Sequence, residues 1–266
     1  MIKDQNAEDI KIFSNGLDIK RANKTANYEF TIIVPVFNEQ DNMPALEDKF
    51  SAFISESLLN TCVLFVNDGS SDQSLERIIA ICAHNEHFFY VSFEKNAGLS
   101  AAIKAGIEVS QSKYVGYIDA DLQTTPEDFN LLIPYLHNFE MVMGIRANRK
   151  DRFVKNLSSK IANGFRRFMT KDGVSDTGCP LKIMRTDYAK RIPLFNGMHR
   201  FLPALIQLQN GKVEQVPVRH FPRVAGKSKF NLGNRLVAPF IDCFAYRWMK
   251  KRYLNFQIAE TNIDRR

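Results

Sequence analysis

Between residues 30 and 118 the chain repeats one pattern: a short apolar run, then a stretch of helix length. The runs are Phe30 to Val36, Cys62 to Val66, Phe88 to Phe93 and Tyr114 to Ile118. Strands covered on both faces read as unbroken apolar runs, and a parallel pair needs a crossover long enough to hold a helix. The alternation therefore predicts an α/β fold with a Rossmann-like, mostly parallel sheet flanked by helices. A chain of 266 residues suffices for one large domain with additions.

In such sheets ligands bind beyond the carboxyl ends of the strands. Four strand ends then fall together: Pro35-Val36-Phe37-Asn38-Glu39, Asn67-Asp68-Gly69-Ser70-Ser71-Asp72, Glu94-Lys95-Asn96-Ala97-Gly98 and Asp119-Ala120-Asp121. The last is the most specific. Carboxylates one residue apart at a strand end face the same side and repel each other unless a cation lies between them. Oxygen ligands without nearby His or Cys suit Mg²⁺ or Mn²⁺, ions that in enzymes also hold substrate phosphates. A diphosphate-bearing donor is the expected ligand. Asp68 offers a carboxylate that can accept from a uracil or guanine N–H, while Ser71 or Asp72 caps the next helix. Capping explains Asp72 well and Asp68 poorly.

Beyond Pro126 the spacing predicts a helix from Glu127 to Leu136, a strand from Met141 to Ile145, a basic helical stretch from Lys150 to Met169, a strand from Val213 to Val218 and a loop from Arg219 to Lys229. The formal charge of +7 is concentrated downstream of the acidic pair, in Arg146, Arg149, Lys150, Arg152, Lys155, Lys160, Arg166, Arg167 and Lys171 and again in Arg247, Lys250, Lys251 and Arg252. An anionic partner is implied; without a nucleic-acid motif or interleaved aromatics in these clusters, a nucleic acid is not. The four cysteines lack CxxC spacing, which argues against zinc and disulfides and fits a reducing cytoplasm. The polar opening, residues 1–29, has no apolar signal core, and no run reaches the roughly 18 to 20 apolar residues of a membrane span.

Taken together and in order, Val34-Pro35-Val36-Phe37-Asn38-Glu39, Asn67-Asp68-Gly69-Ser70-Ser71-Asp72, Lys95-Asn96-Ala97-Gly98 and Asp119-Ala120-Asp121 make the chain resemble the family-two glycosyltransferases of the GT-A fold. Asp119-Ala120-Asp121-Leu122-Gln123, Pro126-Glu127, Gly144-Ile145-Arg146, Ser175-Asp176-Thr177-Gly178 and Arg223-Val224-Ala225-Gly226-Lys227-Ser228-Lys229 make it similar, within that family, to polyprenyl-phosphate sugar synthases such as dolichol-phosphate mannose synthase and undecaprenyl-phosphate glucose synthase. The resemblance covers about Phe30 to Arg235. It implies a nucleotide-sugar-binding half over 30–125 and an acceptor-binding half over 126–230. By the same resemblance Asp68 contacts the base, with Pro35, Glu39 and Lys95 beside the nucleoside. Asp119, Asp121 and Gln123 form the metal and diphosphate site, and Arg223, Lys227, Ser228 and Lys229 fold over the diphosphate. Arg146 reaches either the diphosphate or the acceptor phosphate, Lys155 and Ser159 contact the acceptor phosphate, and Asp176 lies at the acceptor pocket. The catalytic set expected is Asp121, Arg146 and Asp176, in an inverting, metal-dependent transfer to a polyprenyl phosphate. The Asn67 to Ser70 and Met198 to Leu202 regions look more like those of the bacterial glucose-type synthases, a resemblance that favours a UDP-sugar over GDP-mannose.

Within residues 231–266, the stretch Asn234 to Phe256 mixes Leu236, Val237, Phe240, Ile241, Phe244, Tyr246, Trp248 and Met249 with the basic residues Arg235, Arg247, Lys250, Lys251 and Arg252, the composition of an amphipathic helix lying on anionic lipid. The expectation is an enzyme peripheral to the inner face of the membrane. A helix packed on the core or in a homo-oligomer is the alternative, and a small membrane protein could supply an anchor. Competing functions are a glycosyltransferase extending a cell-surface saccharide, with Asp176 or Glu127 as base, and a non-catalytic nucleotide-sugar-binding scaffold.

Overall fold

The computed structural model describes residues 24–146, 164–221, 237–256 and 259–260. Three strand–helix units open the fold: β1 (Phe30–Val36), α1 (Met43–Glu56), β2 (Thr61–Asn67), α2 (Ser74–His84), β3 (Phe88–Ser92), α3 (Leu99–Val109) and β4 (Tyr114–Tyr117). All strand pairings among β1 to β4 are parallel, as the apolar runs predict. Next come α4 (Phe129–Leu132), β5 (Met141–Arg146), β6 (Lys182–Arg185), α5 (Thr186–Lys190), α6 (Leu202–Leu208), β7 (Val213–Val218) and α7 (Val237–Arg252). The strands form one sheet in the order β3-β2-β1-β4-β6-β5-β7, which joins the two expected halves. The short β6 runs antiparallel to both of its neighbours.

Two-residue alternation along β1 divides the core. Ile32, Val34 and Val36 pack with α1 and α2 through Met43, Leu46, Phe50, Phe53 and Ile78. Ile33 points to the opposite face, where α3, α6 and α7 supply Ile103, Ile107, Leu205, Cys243 and Tyr246. Phe30, Phe50, Phe53, Phe65 and Phe129 are all at most 1% exposed, so each contributes about 1.5–3 kcal/mol of transfer free energy.

One expectation needs correction. The helix expected from Glu127 to Leu136 is broken into a 3-10 turn at Pro126–Asp128, the single turn α4 and a second 3-10 turn at Ile133–Tyr135. Pro134 lacks an N–H and clashes with the preceding turn, which prevents a continuous α-helix. The C-terminal helix docks on the core along one face. Cys243 and Tyr246 are buried against the core, and the Tyr246 hydroxyl donates to the Ala204 carbonyl at 3.2 Å. Its other face still presents Phe240, Ile241, Phe244 and Trp248, each about half exposed or more. Among the described residues no helix is long and apolar enough to cross a membrane.

Candidate active site

β4 ends at Tyr117, and the chain leaves the sheet through Asp119-Ala120-Asp121. Leu122 then adopts φ 57°, a left-handed conformation costing a leucine about 1–2 kcal/mol. Burial of its side chain in the α1-side core holds it there. The turn lets Asp121 Oδ1 accept the Gln123 N–H at 3.1 Å, while the Tyr117 hydroxyl donates to Asp119. Burial, followed by the charge of Asp121, pushes the Asp119 carboxyl up to about 6, against the opposing pull of Tyr117, Lys182 and Arg146. A cation between the two carboxylates would offset both the burial and the mutual repulsion. No group of three or more His, Cys, Asp or Glu side chains able to hold a metal occurs among the described residues. Two carboxylates fit Mg²⁺ or Mn²⁺ completed by water and substrate phosphate oxygens.

The ends of β1 and β2 form the adjoining wall. Glu39 Oε2 accepts from Asn42 Nδ2 at 2.7 Å, and Pro35 lies in β1 opposite Val66. Asp72 accepts from the Ser74 and Gln40 N–H groups and so ties the first N–H of α2 to the chain after β1, while Gln73 occupies the cap position itself. Asp68 has a structural task that its sequence surroundings do not suggest. Its carboxylate accepts from the Ala97 N–H at 2.7 Å, the Gly98 N–H at 3.0 and 3.1 Å, and Asn96 Nδ2 at 2.9 Å. A carboxylate has about four acceptor positions, so a base contact would share a group that already fastens the β3–α3 loop. Gly69 makes the fit possible: at φ +64°, an added Cβ would lie 2.4 Å from the Lys95 carbonyl carbon. Lys95 itself is exposed on that loop.

On the acceptor side the structure joins two residues that are far apart in sequence. Arg146, at the end of β5, donates through Nε and Nη2 to the two oxygens of Asp176, each at 2.8 Å. Burial acts to raise the Asp176 carboxyl, but the bonds and charge of Arg146 hold it below its ordinary value. Gly178 leaves room for the guanidinium, since a Cβ there would lie 2.9 Å from Arg146 Nη2. Lys155, Ser159, Arg223, Lys227, Ser228 and Lys229 lie outside the described residues. Phe221 donates its N–H to the Gln123 carbonyl at 2.9 Å, and Arg219 pairs with the buried Asp128, so the chain leaving β7 is fastened to the tail of the acidic motif.

The profile of glycosyl transferase family 2 matches residues 31–192, more than half of the chain and all of the strand ends that build this site. The chain belongs to that family. It is 30% identical over 210 residues to dodecaprenyl-phosphate galacturonate synthase of Rhizobium johnstonii, covering 77% of this chain and 62% of that one. It is also 30% identical over 203 residues to undecaprenyl-phosphate 4-deoxy-4-formamido-L-arabinose transferase of Pectobacterium carotovorum, with 76% and 62% covered. The alignment thus spans less than two thirds of the length of these relatives. Glucosyl-3-phosphoglycerate synthase from Mycobacterium tuberculosis, crystallised with Mn²⁺, UDP-glucose and phosphoglyceric acid, superposes with a TM-score of 0.62 at 14% identity over 87% of this chain and 82% of that one. The expected GT-A architecture therefore holds.

Tyr117, Lys182 and Ser100 were not singled out by sequence reasoning. Tyr117 bonds Asp119, and Lys182 is a fully buried lysine on β6. Ser100 at the start of α3 bonds His199 Nδ1 at 2.9 Å and accepts the Gly197 N–H at 3.0 Å. Burial, then Arg200 and Lys182, lowers His199 to about 3, so the ring is neutral. The sequence signal for Lys182 was a charged residue inside an otherwise apolar run, Leu181-Lys182-Ile183-Met184.

Proposed function

We propose that the chain transfers a sugar from a nucleoside diphosphate sugar, with UDP favoured and GDP-mannose possible, to a polyprenyl phosphate, working peripherally at the cytoplasmic face of a membrane. The names of the relatives support the acceptor class. The observation that carries the reading is the Arg146–Asp176 pair. A general base must take up a proton, and a carboxylate held low by a bidentate guanidinium is poorly suited to that. A phosphate acceptor needs no base because its oxygen is already ionised at neutral pH. Extension of a saccharide hydroxyl would need one, and the alternative candidate, Glu127, neighbours Arg219 on the turn after the acidic motif.

The acceptor phosphate oxygen attacks the anomeric carbon as its bond to the diphosphate oxygen breaks, inverting that centre. Bound Mg²⁺ or Mn²⁺ would supply charge stabilisation to the departing diphosphate. Asp119 and Asp121 would hold the ion with Gln123 alongside, and Arg146, oriented by Asp176, would align an incoming phosphate. Pro35, Glu39, Asp68 and Lys95 line or brace the nucleoside side, and Lys155, Ser159, Arg223, Lys227, Ser228 and Lys229 are assigned to the phosphates by family resemblance. The exposed apolar face of α7, with Arg247, Lys251 and Arg252 also exposed, suits an anionic lipid surface.

The test is transfer from radiolabelled UDP- and GDP-sugars to undecaprenyl or dolichyl phosphate with Mg²⁺ or Mn²⁺. Metal-dependent, chloroform-extractable product should form and should fall on the order of 10³-fold in Asp121→Asn, equivalent to about 4 kcal/mol of transition-state stabilisation. Donor hydrolysis without lipid product in the wild type would refute the acceptor assignment.

A further inference from the structure

A lysine that is 1% exposed in the middle of a sheet requires a reason, because burying an ammonium is costly unless its charge and donors are met. Lys182 lies on β6 opposite Tyr117 of β4, on the face from which Asp119 emerges. Its Nζ donates to the carbonyls of Cys179 and Thr177 and lies 5.6 Å from the centroid of the Tyr117 ring. Burial pulls its pKa below the ordinary lysine value, the charges of Cys179, Asp119 and Asp176 oppose that shift, and Arg146 adds to it. The ammonium thus connects two parts of the site: the Thr177–Cys179 turn that follows Asp176, and the tyrosine whose hydroxyl holds Asp119. Among the described residues of this cluster, three carboxylates, Asp119, Asp121 and Asp176, stand against two cations, Arg146 and Lys182, for a formal local charge of −1.

We infer that Lys182 is a positioning residue, the built-in counter-cation that orients the acidic pair and limits its negative charge so that a divalent ion and a nucleoside diphosphate bind as a couple. It touches neither ligand, because its donors are directed at the two carbonyls and the tyrosine ring. Without it the local charge becomes −2, which favours a bare divalent ion and disfavours a diphosphate. With it, the same ion brings the site to +1, the sign that attracts the diphosphate. This inference rests on the metal site assigned under the proposed function.

The experiment measures Mn²⁺ alone by electron paramagnetic resonance and UDP alone by calorimetry, on the full chain. Lys182→Gln keeps a donor for the carbonyls and removes the charge; Lys182→Met removes both; Lys182→Arg keeps the charge. Both neutral variants should bind Mn²⁺ at least about tenfold more tightly and metal-free UDP about tenfold more weakly, while Lys182→Arg stays within about threefold of wild type. A folded Lys182→Gln with wild-type or weaker Mn²⁺ affinity overturns the role of Lys182 while leaving the metal site standing. A wild type that binds no Mn²⁺ overturns both.

Discussion

The neutral His199 gives the fold a pH dependence whose size follows from its surroundings. The ring is anchored to Ser100 and faces the cations Arg200 and Lys182, so its folded pKa is lowered to about 3, against about 6.5 in an unfolded chain. A depressed histidine pKa favours the neutral form in the fold. The stability it contributes is complete above the unfolded value and is lost as pH falls from 6.5 toward 3. At pH 5 the unfolded ring is almost wholly protonated and the folded ring is not, a difference of about 2 kcal/mol. For a domain of this size that equals a melting-temperature decrease of about 4–8 °C. Replacing His199 with Gln leaves an acceptor for the Ser100 hydroxyl and removes the titration. Thermal and urea unfolding of both proteins at pH 7.5 and pH 5.0 isolates the residue, because every other titrating group is common to the pair. The wild type should lose about 2 kcal/mol more than His199→Gln over that interval. Equal losses would refute the neutral, cation-facing ring.

Gly178→Ala should leave stability within about 1 kcal/mol, since the added methyl meets the end of a flexible side chain. It should nevertheless lower kcat/KM of sugar transfer roughly 10- to 100-fold by displacing Arg146, and unchanged transfer would argue against a role for that guanidinium. Trp248→Glu and Phe244→Glu change exposed positions of α7. Their melting temperatures should match wild type while flotation with phosphatidylserine-containing vesicles is lost; undiminished flotation would assign lipid contact to another surface.

β1, β2 and β4 were legible because each is buried on both faces and its run is almost wholly apolar, and the half-exposed edge strand β3 because Phe88 to Val91 is still an apolar run. β6 was not. It has four residues, follows Pro180 and begins with a lysine, so neither length nor periodicity marks it. Asp119 and Asp121 were legible because their relation is local, a two-residue spacing at a strand end. Asp176 had no evident partner because Arg146 lies thirty residues earlier, and the bracing role of Asp68 was hidden because its partners lie 28 to 30 residues later. Local chemistry can be read from a motif; pairing across the sheet requires the fold. The exposed face of α7 was apparent from its composition, whereas the stripe that seats Cys243 and Tyr246 in the core depends on helices remote in sequence.

The two ends of the sheet differ in their capacity for self-association. β7 carries Glu214 and Pro217, and a proline on an outermost strand cannot donate to an added strand. β3, at the opposite end, reads Phe-Phe-Tyr-Val-Ser, without charge or proline and with Tyr90 40% exposed. Edge-to-edge pairing and aggregation of partly unfolded chains should therefore begin at β3, where a lysine in place of Tyr90 would protect the protein at little structural cost.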